Sequence, residues 1–231
     1  SLEINRILGL KPDLVLANRE ENDRGQVEAL IGSGLRVEVE YPLTPRQVLE
    51  ALTRLADWVG CPRHSSLIQL AEALTRAEGL AAHRRAFRYF CPIWAGQGKQ
   101  PDWWMTFNQG TYPHALLALF GGVNGFAERE RRYPLAADLG LAQAEDPAGR
   151  DTRYPAVGLS ELAASKPDVI LLPDEPMDFH ARGPRERLVA ALQNRMDRVP
   201  RLVEVEGSLL FWPGLRLLEA LEKLPSLLII G

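Results

Sequence analysis

One short phrase occurs twice in this chain of 231 residues. Lys11-Pro12-Asp13 precedes an apolar run at residues 14–17, and Lys166-Pro167-Asp168 precedes a similar run at 169–172. Proline disfavours helical conformation in the residue before it, and an unbroken apolar run is typical of a parallel strand that is buried on both faces. Each run is followed by a polar loop, a helical pattern and a second strand-like segment. The repeat therefore predicts two βαβ units with right-handed crossovers.

A long helical pattern separates the two copies of the phrase. Apolar residues at Leu67, Leu70 and Leu74 recur every three to four positions within residues 64–86, and Ser66 opens a candidate capping box. We expect an α/β chain of two Rossmann-like lobes with parallel sheets, joined by this one inter-lobe helix, with a cleft between them. The predicted parts are an N-terminal α/β lobe at 1–62, the bridging helix at 63–86, a C-terminal α/β lobe at 87–212, and a C-terminal helix at 213–231 that packs back toward the first lobe.

Composition argues against several classes of function. A formal net charge of -3 provides no basic surface for nucleic acid. No apolar run approaches the roughly 20 residues of a membrane-spanning helix. Cys61 and Cys91 form no metal-binding motif and are expected to be free, buried thiols, and no cofactor is implied. Arg129, Arg131 and Arg132 form a charge run that predicts a solvated surface.

The loops that follow the two apolar strands are the predicted binding site. In open α/β sheets, ligands bind beyond the carboxyl ends of the parallel strands. Asn18, Arg19 and Glu20 follow the first apolar run, and Glu175 follows the second. Large aromatic side chains bury much area at low entropic cost, and they suit a bulky, partly apolar ligand. Three tryptophans near the ends of predicted strands are therefore candidate ligand contacts: Trp94, Trp104 and Trp212.

The second of these loops is rich in groups that can bind metals. Asp174, Glu175, Asp178 and His180 lie within seven positions of one another. Their spacing matches no defined metal motif, and polar loops are commonly acidic, so we assign no metal site to them.

Several of these stretches together resemble a known family. Residues 10–17, their echo at 166–172, the Gly-Gly-Val-Asn step at 121–124 and the long helix are similar to the substrate-binding proteins of ABC importers. The class is the helical-backbone type, which handles vitamin B12 and ferric siderophores, and the loops at 18–22 and 172–176 look most like its cobalamin-binding branch. The resemblance implies a monomer with little hinge motion, a corrinoid or metal chelate held in the cleft, and an ABC permease as partner. It also implies a periplasmic or cell-surface-anchored location, and ligand contacts at Phe107, Asn108 and Tyr112.

The chain departs from the family pattern in two places. Family members carry an extra strand and helix before the first lobe's Lys-Pro-Asp phrase, so we expect the first lobe to be incomplete at its start. The family also docks on its permease through one acidic residue on each lobe, for which Glu3 and Glu161 are the candidates. Glu3 lies nine residues before Pro12 and Glu161 lies six before Pro167, so the two acids are out of register.

Other functions remain open at this point. The same class also includes binding proteins for ferric siderophores or haem. A soluble, cytoplasmic carrier or sensor can have this fold without a permease. A hydrolase can use carboxylates across the cleft, with Glu20 or Glu21 opposite Glu175. We predict a binding protein rather than an enzyme, because the sequence contains no nucleophile elbow and no Gly-rich phosphate loop.

Overall fold

The computed structural model of the chain describes residues 3–96, 102–196 and 198–228. Contacts divide the chain into two compact units, Ser1–Pro42 and Leu43–Gly231. This division falls before the predicted boundary at residue 62, because Val48 and Leu49 belong to the core of the second unit. Within the described ranges, no helix combines the length and the apolar character needed to cross a membrane.

The first unit is a single βαβ unit with a short helix before it. Its elements are α1 (Ile4–Gly9), β1 (Val15–Asn18), α2 (Arg24–Gly32) and β2 (Val37–Glu40). The two strands are parallel, with Val15 opposite Val37 and Asn18 opposite Glu40. The predicted first βαβ unit is therefore confirmed.

The second unit contains two sheets. Its parallel sheet has four strands in the order β6-β3-β8-β9, and a separate antiparallel sheet has the order β4-β5-β7. The strands are β3 (Phe87–Phe90), β4 (Trp94–Ala95), β5 (Trp103–Met105), β6 (Gly122–Asn124), β7 (Ala156–Gly158), β8 (Val169–Pro173) and β9 (Arg201–Val205). The helices are α3 (Pro45–Trp58), α4 (Ser65–Ala81), α5 (Tyr112–Ala118), α6 (Leu135–Asp138), α7 (Leu159–Ala164), α8 (Arg182–Gln193), α9 (Gly207–Phe211) and α10 (Arg216–Leu227).

Both faces of the parallel sheet are covered. Alternate residues of β8 enter two different cores: Val169 and Leu171 pack in one, and Ile170 and Leu172 in the other. The first core is completed by apolar residues of α3, α4, α5, α9 and α10. The second is completed by residues of α7 and α8. A parallel sheet with helices on both faces is the arrangement that the apolar runs predict.

The predicted bridging helix is shorter than its pattern and belongs to the second unit. Helix α4 ends at Ala81 rather than at residue 86, and Leu70 and Leu74 lie in the first core. Its cap is His64, whose Nδ1 accepts a hydrogen bond from the Ser66 backbone N–H over 3.3 Å, so Ser66 is not the cap. The C-terminal helix α10 packs on α4 and α9 within the same unit.

The antiparallel sheet is the element that the sequence analysis did not predict. Strand β5 pairs with β4 on one side and with β7 on the other, with Trp104 opposite Ala95 and Val157. Strands of two and three residues are too short to show the alternation by which strands are recognised in sequence.

The two Lys-Pro-Asp phrases form the same turn. Each lysine follows a six-residue helix and has positive φ, 49° at Lys11 and 45° at Lys166. The two aspartates differ, however. The Asp168 Oδ2 accepts a hydrogen bond of 2.7 Å from the Arg88 backbone N–H and so joins β8 to β3, whereas the Asp13 carboxylate has no hydrogen bond among the described residues.

We expect Asp168→Ala to lower the free energy of unfolding by about 1 kcal/mol, the usual net contribution of one intramolecular hydrogen bond. Urea unfolding followed by far-UV circular dichroism reports the helices of both units. The matched control is Asp13→Ala, which should leave the transition unchanged. Equal midpoints for Asp168→Ala and the parent chain would contradict the role of the Asp168 carboxylate.

Candidate functional site

The parallel sheet has a topological switch point between β3 and β8. The chain leaves β3 toward β6 on one side, and it leaves β8 toward β9 on the other. Loops that diverge in this way leave a crevice beyond the carboxyl ends of the two strands, where ligands of open α/β sheets bind. The residues at this edge are those from Cys91 after β3 and those from Asp174 after β8.

The segment after β3 presents an exposed tryptophan. Trp94 is 46% exposed, whereas its neighbour Ala95 is buried in the second core. The Ile93 backbone N–H donates to the Met105 oxygen over 2.8 Å, and the buried Thr106 hydroxyl donates to the Cys91 oxygen over 2.8 Å. These bonds fix the segment between β3 and β4, so that the Trp94 indole lies on the protein surface.

The loop after β8 is held against the start of α9. The Asp174 Oδ1 accepts a hydrogen bond of 2.7 Å from the Gly207 backbone N–H. A Cβ atom at Gly207 would lie 2.4 Å from the Glu175 Cγ, so only glycine fits there. The Glu175 Oε1 is buried and has no hydrogen-bond partner among the described residues. An unpaired buried oxygen of this kind is available to a donor group on a ligand.

The segment after β9 adds a charged cluster and a second exposed tryptophan. Arg216 donates to the Glu206 Oε2 over 2.8 Å and to the Ser208 hydroxyl over 2.9 Å. Trp212 follows α9 and is 59% exposed. Neither Gly207 nor Arg216 was identified from the sequence. The available signal for Gly207 is a glycine that comes two residues after a strand and opens the next helix.

Two predicted ligand contacts are corrected by their burial. Trp104 is 1% exposed and packs in the second core, and Phe107 is fully buried in the first core. The ring of Phe107 lies 6.2 Å, between centroids, from the rings of Tyr89 and Phe211. Neither side chain has surface left for a ligand, so both have structural roles.

Asn108 and Tyr112 are also mostly buried. The Asn108 Oδ1 accepts a hydrogen bond of 2.9 Å from the Gly110 backbone N–H and shapes the turn before α5. The Tyr112 hydroxyl is buried without a partner among the described residues, and burial raises its pKa. Burial likewise raises the pKa of Tyr89, to which the nearby Cys91 adds, and the pKa of the Cys91 thiol. Cys91 is a free buried thiol as predicted, whereas Cys61 is free but exposed, which corrects its predicted burial.

The candidates of the first unit lie at the carboxyl end of β1. The Asn18 Oδ1 accepts a hydrogen bond of 2.7 Å from the Glu20 backbone N–H, so the Asn18 side chain shapes this loop. The guanidinium carbon of Arg19 lies 5.1 Å from the centroid of the Tyr41 ring. Arg19 and Glu20 are exposed.

Comparison with known proteins shows which proteins this chain is similar to. The vitamin B12-binding protein of Salmonella typhi is 31% identical over 138 residues, which cover 58% of this chain and 48% of that protein. Vitamin B12-binding proteins are homologues of this chain. The chain spans about half the length of the curated relatives that it matches. No protein-family model matches it.

Solved structures show the same fold. The periplasmic vitamin B12 binding protein of Vibrio cholerae aligns with a TM-score of 0.69 at 21% identity, covering 98% of this chain and 77% of that one. The periplasmic haem binding protein of Vibrio cholerae aligns with a TM-score of 0.67 at 18% identity, covering 100% of this chain and 82% of that one. The predicted α/β fold of a periplasmic binding protein is therefore confirmed.

The two predicted docking acids, Glu3 and Glu161, have different surroundings. The Glu161 Oε1 accepts a hydrogen bond of 2.8 Å from Arg129, which also donates 2.9 Å to the Oδ1 of the buried Asp138. Arg129 is therefore mostly buried and is not part of a solvated charge run. In the first unit the residue six positions before Pro12 is Arg6, which pairs with the exposed Glu3 over 3.3 Å.

Further along the acidic loop after β8, the side chains of Asp178 and His180 make local hydrogen bonds. The Asp178 Oδ1 accepts hydrogen bonds from the backbone N–H groups of His180 and Ala181. The His180 Nε2 lies 2.9 Å from the Leu172 oxygen and so donates to it. Among the residues that the structure describes, no three His, Cys, Asp or Glu side chains are grouped so as to hold a metal ion.

We expect Gly207→Ala to lower the free energy of unfolding by about 1–3 kcal/mol, because the added methyl group overlaps Glu175 and displaces the two loops. Gly214→Ala is the matched control, since a Cβ there meets nothing within 4 Å. It should be neutral or slightly stabilising. Urea unfolding measures both, and equal effects of the two substitutions would contradict the close packing at Gly207.

A pH dependence is expected from His114 on α5. Burial lowers the pKa of His114, and its Nδ1 is buried without a partner among the described residues. The unfolded chain therefore binds this proton more readily than the folded chain, so stability falls as the pH drops below about 6.5. His114→Gln should make this fall shallower in urea unfolding measured between pH 7.5 and 5. Parallel pH profiles for the two proteins would contradict the assignment.

Proposed function

We propose that this chain binds a corrinoid and delivers it to an ABC permease, as the substrate-binding component of an importer that works outside the cytoplasm. The observation that carries the proposal is the 31% identity to a vitamin B12-binding protein over 138 residues. The alignment covers only 48% of that relative, so the ligand is inferred for this chain. The relatives are binding proteins, which supports binding rather than catalysis.

The geometry of the second unit supports a ligand of this kind. Trp94 and Trp212 offer flat apolar area next to the carboxyl edge of the sheet, where a macrocycle can bury much of its surface. The unpaired Glu175 Oε1 can accept a hydrogen bond from an amide N–H, and corrinoids carry several amides on their periphery. In the first unit, Asn18, Arg19 and Glu20 are proposed as further contacts.

Haem is the second candidate, because a haem binding protein has the same fold. Haem carries carboxylates, and these would approach Asp174 and Glu175 at the carboxyl end of β8. Like charges at short distance repel each other, so this edge favours a ligand with amides over one with carboxylates. A ferric siderophore that carries net negative charge is disfavoured for the same reason.

Binding of cyanocobalamin, with haem run in parallel, is the test. We expect micromolar or tighter binding of cyanocobalamin by calorimetry, and we expect Trp94→Ala and Trp212→Ala each to weaken it by about tenfold, which is about 1.4 kcal/mol. Trp58→Ala is the control, because Trp58 lies on α3 and not in a loop that follows a parallel strand. Binding of haem alone would correct the ligand, and binding of neither would contradict the proposal.

The substitution Glu175→Gln distinguishes a binding protein from the alternative, a hydrolase. We expect Glu175→Gln to weaken cyanocobalamin binding, because it replaces an acceptor-only carboxylate with an amide. Turnover of any bound ligand by the parent chain, lost in Glu175→Gln while affinity is kept, would identify an enzyme instead.

Permease docking through Glu3 and Glu161 is part of the proposal. Glu161 is 39% exposed beside Arg129, so its carboxylate can pair with a cation on a partner while it keeps Arg129. Glu161→Gln should therefore weaken permease binding more than Glu3→Gln, since the Glu3 carboxylate is paired with the exposed Arg6 on α1. Unchanged binding in both variants would reject this docking mode.

A further inference from the structure

One arginine joins the two described residues that flank 97–101. The Nη2 of Arg187 on α8 donates a hydrogen bond of 2.9 Å to the Gly96 oxygen and one of 2.5 Å to the Asp102 Oδ1. Gly96 follows β4, and Asp102 precedes β5. A single side chain from a distant helix therefore holds both ends of the β4–β5 connection.

A second contact closes the same pair of strands. The Gly96 backbone N–H donates to the Trp103 oxygen over 3.0 Å. The Trp103 indole lies directly on Gly96, since a Cβ at this position would be 2.1 Å from the indole Nε1. The absence of a side chain at residue 96 thus allows the Trp103 indole of β5 to pack against the end of β4.

Trp94 depends on this closure for its position. Strand β4 has only two residues, and its pairing with β5 places Trp94 opposite Met105 and Ala95 opposite Trp104. Ala95 is buried, but a two-residue strand makes few ladder hydrogen bonds of its own. The orientation of the Trp94 indole must therefore depend on contacts made by residues outside β4.

We propose that Arg187 is a positioning residue for Trp94, because it fixes the β4–β5 pair to α8 and thereby sets the direction of the Trp94 indole. This inference rests on the proposed function of Trp94 as a ligand contact. Arginine suits the role because its rigid guanidinium can hold two acceptors at once, whereas the single ammonium of lysine fixes no plane. The side chains of Arg187 and Asp102 are 43% and 41% exposed, so water can replace the ion pair and the stability of the fold depends little on it.

The binding test uses cyanocobalamin and a double-mutant cycle. We expect Arg187→Ala to weaken binding by about fivefold, the order expected for the loss of one hydrogen bond, and Arg187→Lys to weaken it by less. Arg185→Ala is the matched control, because Arg185 lies on the same helix and pairs with Glu204 instead. In a Trp94→Ala background, Arg187→Ala should have no further effect. Additive effects of the two substitutions would overturn the proposal.

A measurement without ligand separates this proposal from the proposed function. In protein labelled with 5-fluorotryptophan, the Trp94 fluorine resonance can be assigned by its loss in Trp94→Phe. We expect Arg187→Ala to shift or broaden the Trp94 resonance while that of Trp58 stays unchanged, and we expect Arg185→Ala to alter neither. An unchanged Trp94 resonance in Arg187→Ala would overturn the positioning role. If the parent chain binds no cyanocobalamin, the proposed function fails, and this spectrum still decides whether Arg187 orients Trp94.

Discussion

The burial of strand Val169–Pro173 on both faces is the constraint on which the second unit depends. All five residues are buried, and alternate side chains enter two separate apolar cores. A polar side chain within such a strand would lose its contact with water and would need a partner in the core. The polar groups that can meet a ligand are therefore displaced to the first positions beyond the strand, beginning with Asp174.

The same constraint makes the loops after the strands depend on one another. A loop at the edge of a sheet has no core of its own, so it is held by contacts with its neighbours. The loop after β8 is held by the Asp174 bond to Gly207 and by the packing of Glu175 on that glycine. The segment after β3 is held through Thr106 and the antiparallel strands. Each loop of the candidate site is thus positioned by a segment that is distant in sequence.

Much of this fold was predictable from local patterns. The repeated Lys-Pro-Asp phrase and its apolar runs predicted both βαβ units, because buried parallel strands and helix-ending turns have strong local signals. The division of the chain at Pro42 was not predictable in this way. Helices α3 and α4 are amphipathic whichever unit they pack on, and only their contacts assign them to the second.

The site residues were also predictable only as far as local patterns determine them. Alternation along β5 predicts that one of Trp103 and Trp104 points inward, but it cannot say which. The pairing of Trp104 with Ala95 and Val157, which are distant in sequence, decides it. Trp94 and Trp212 are exposed as expected, whereas the burial of Phe107 follows from its contacts with Tyr89 and Phe211. Arg129 looked like one of several surface charges because the sequence does not show that the chain folds back to bring Asp138 and Glu161, 9 and 32 residues further on, against its guanidinium.

The packing of α10 on α4 has a consequence for how the second unit is made. Its first core includes residues from Val48 to Leu228, so contacts of very long sequence separation complete it. Synthesis proceeds from the amino end, and the apolar face of α4 emerges from the ribosome long before the helix that covers it. The last step in folding this unit must therefore wait until α10 has been synthesised, and that step is slowed by the long loop that has to close. Premature termination before α10 would leave Leu70 and Leu74 in contact with water, which makes truncated chains prone to aggregation.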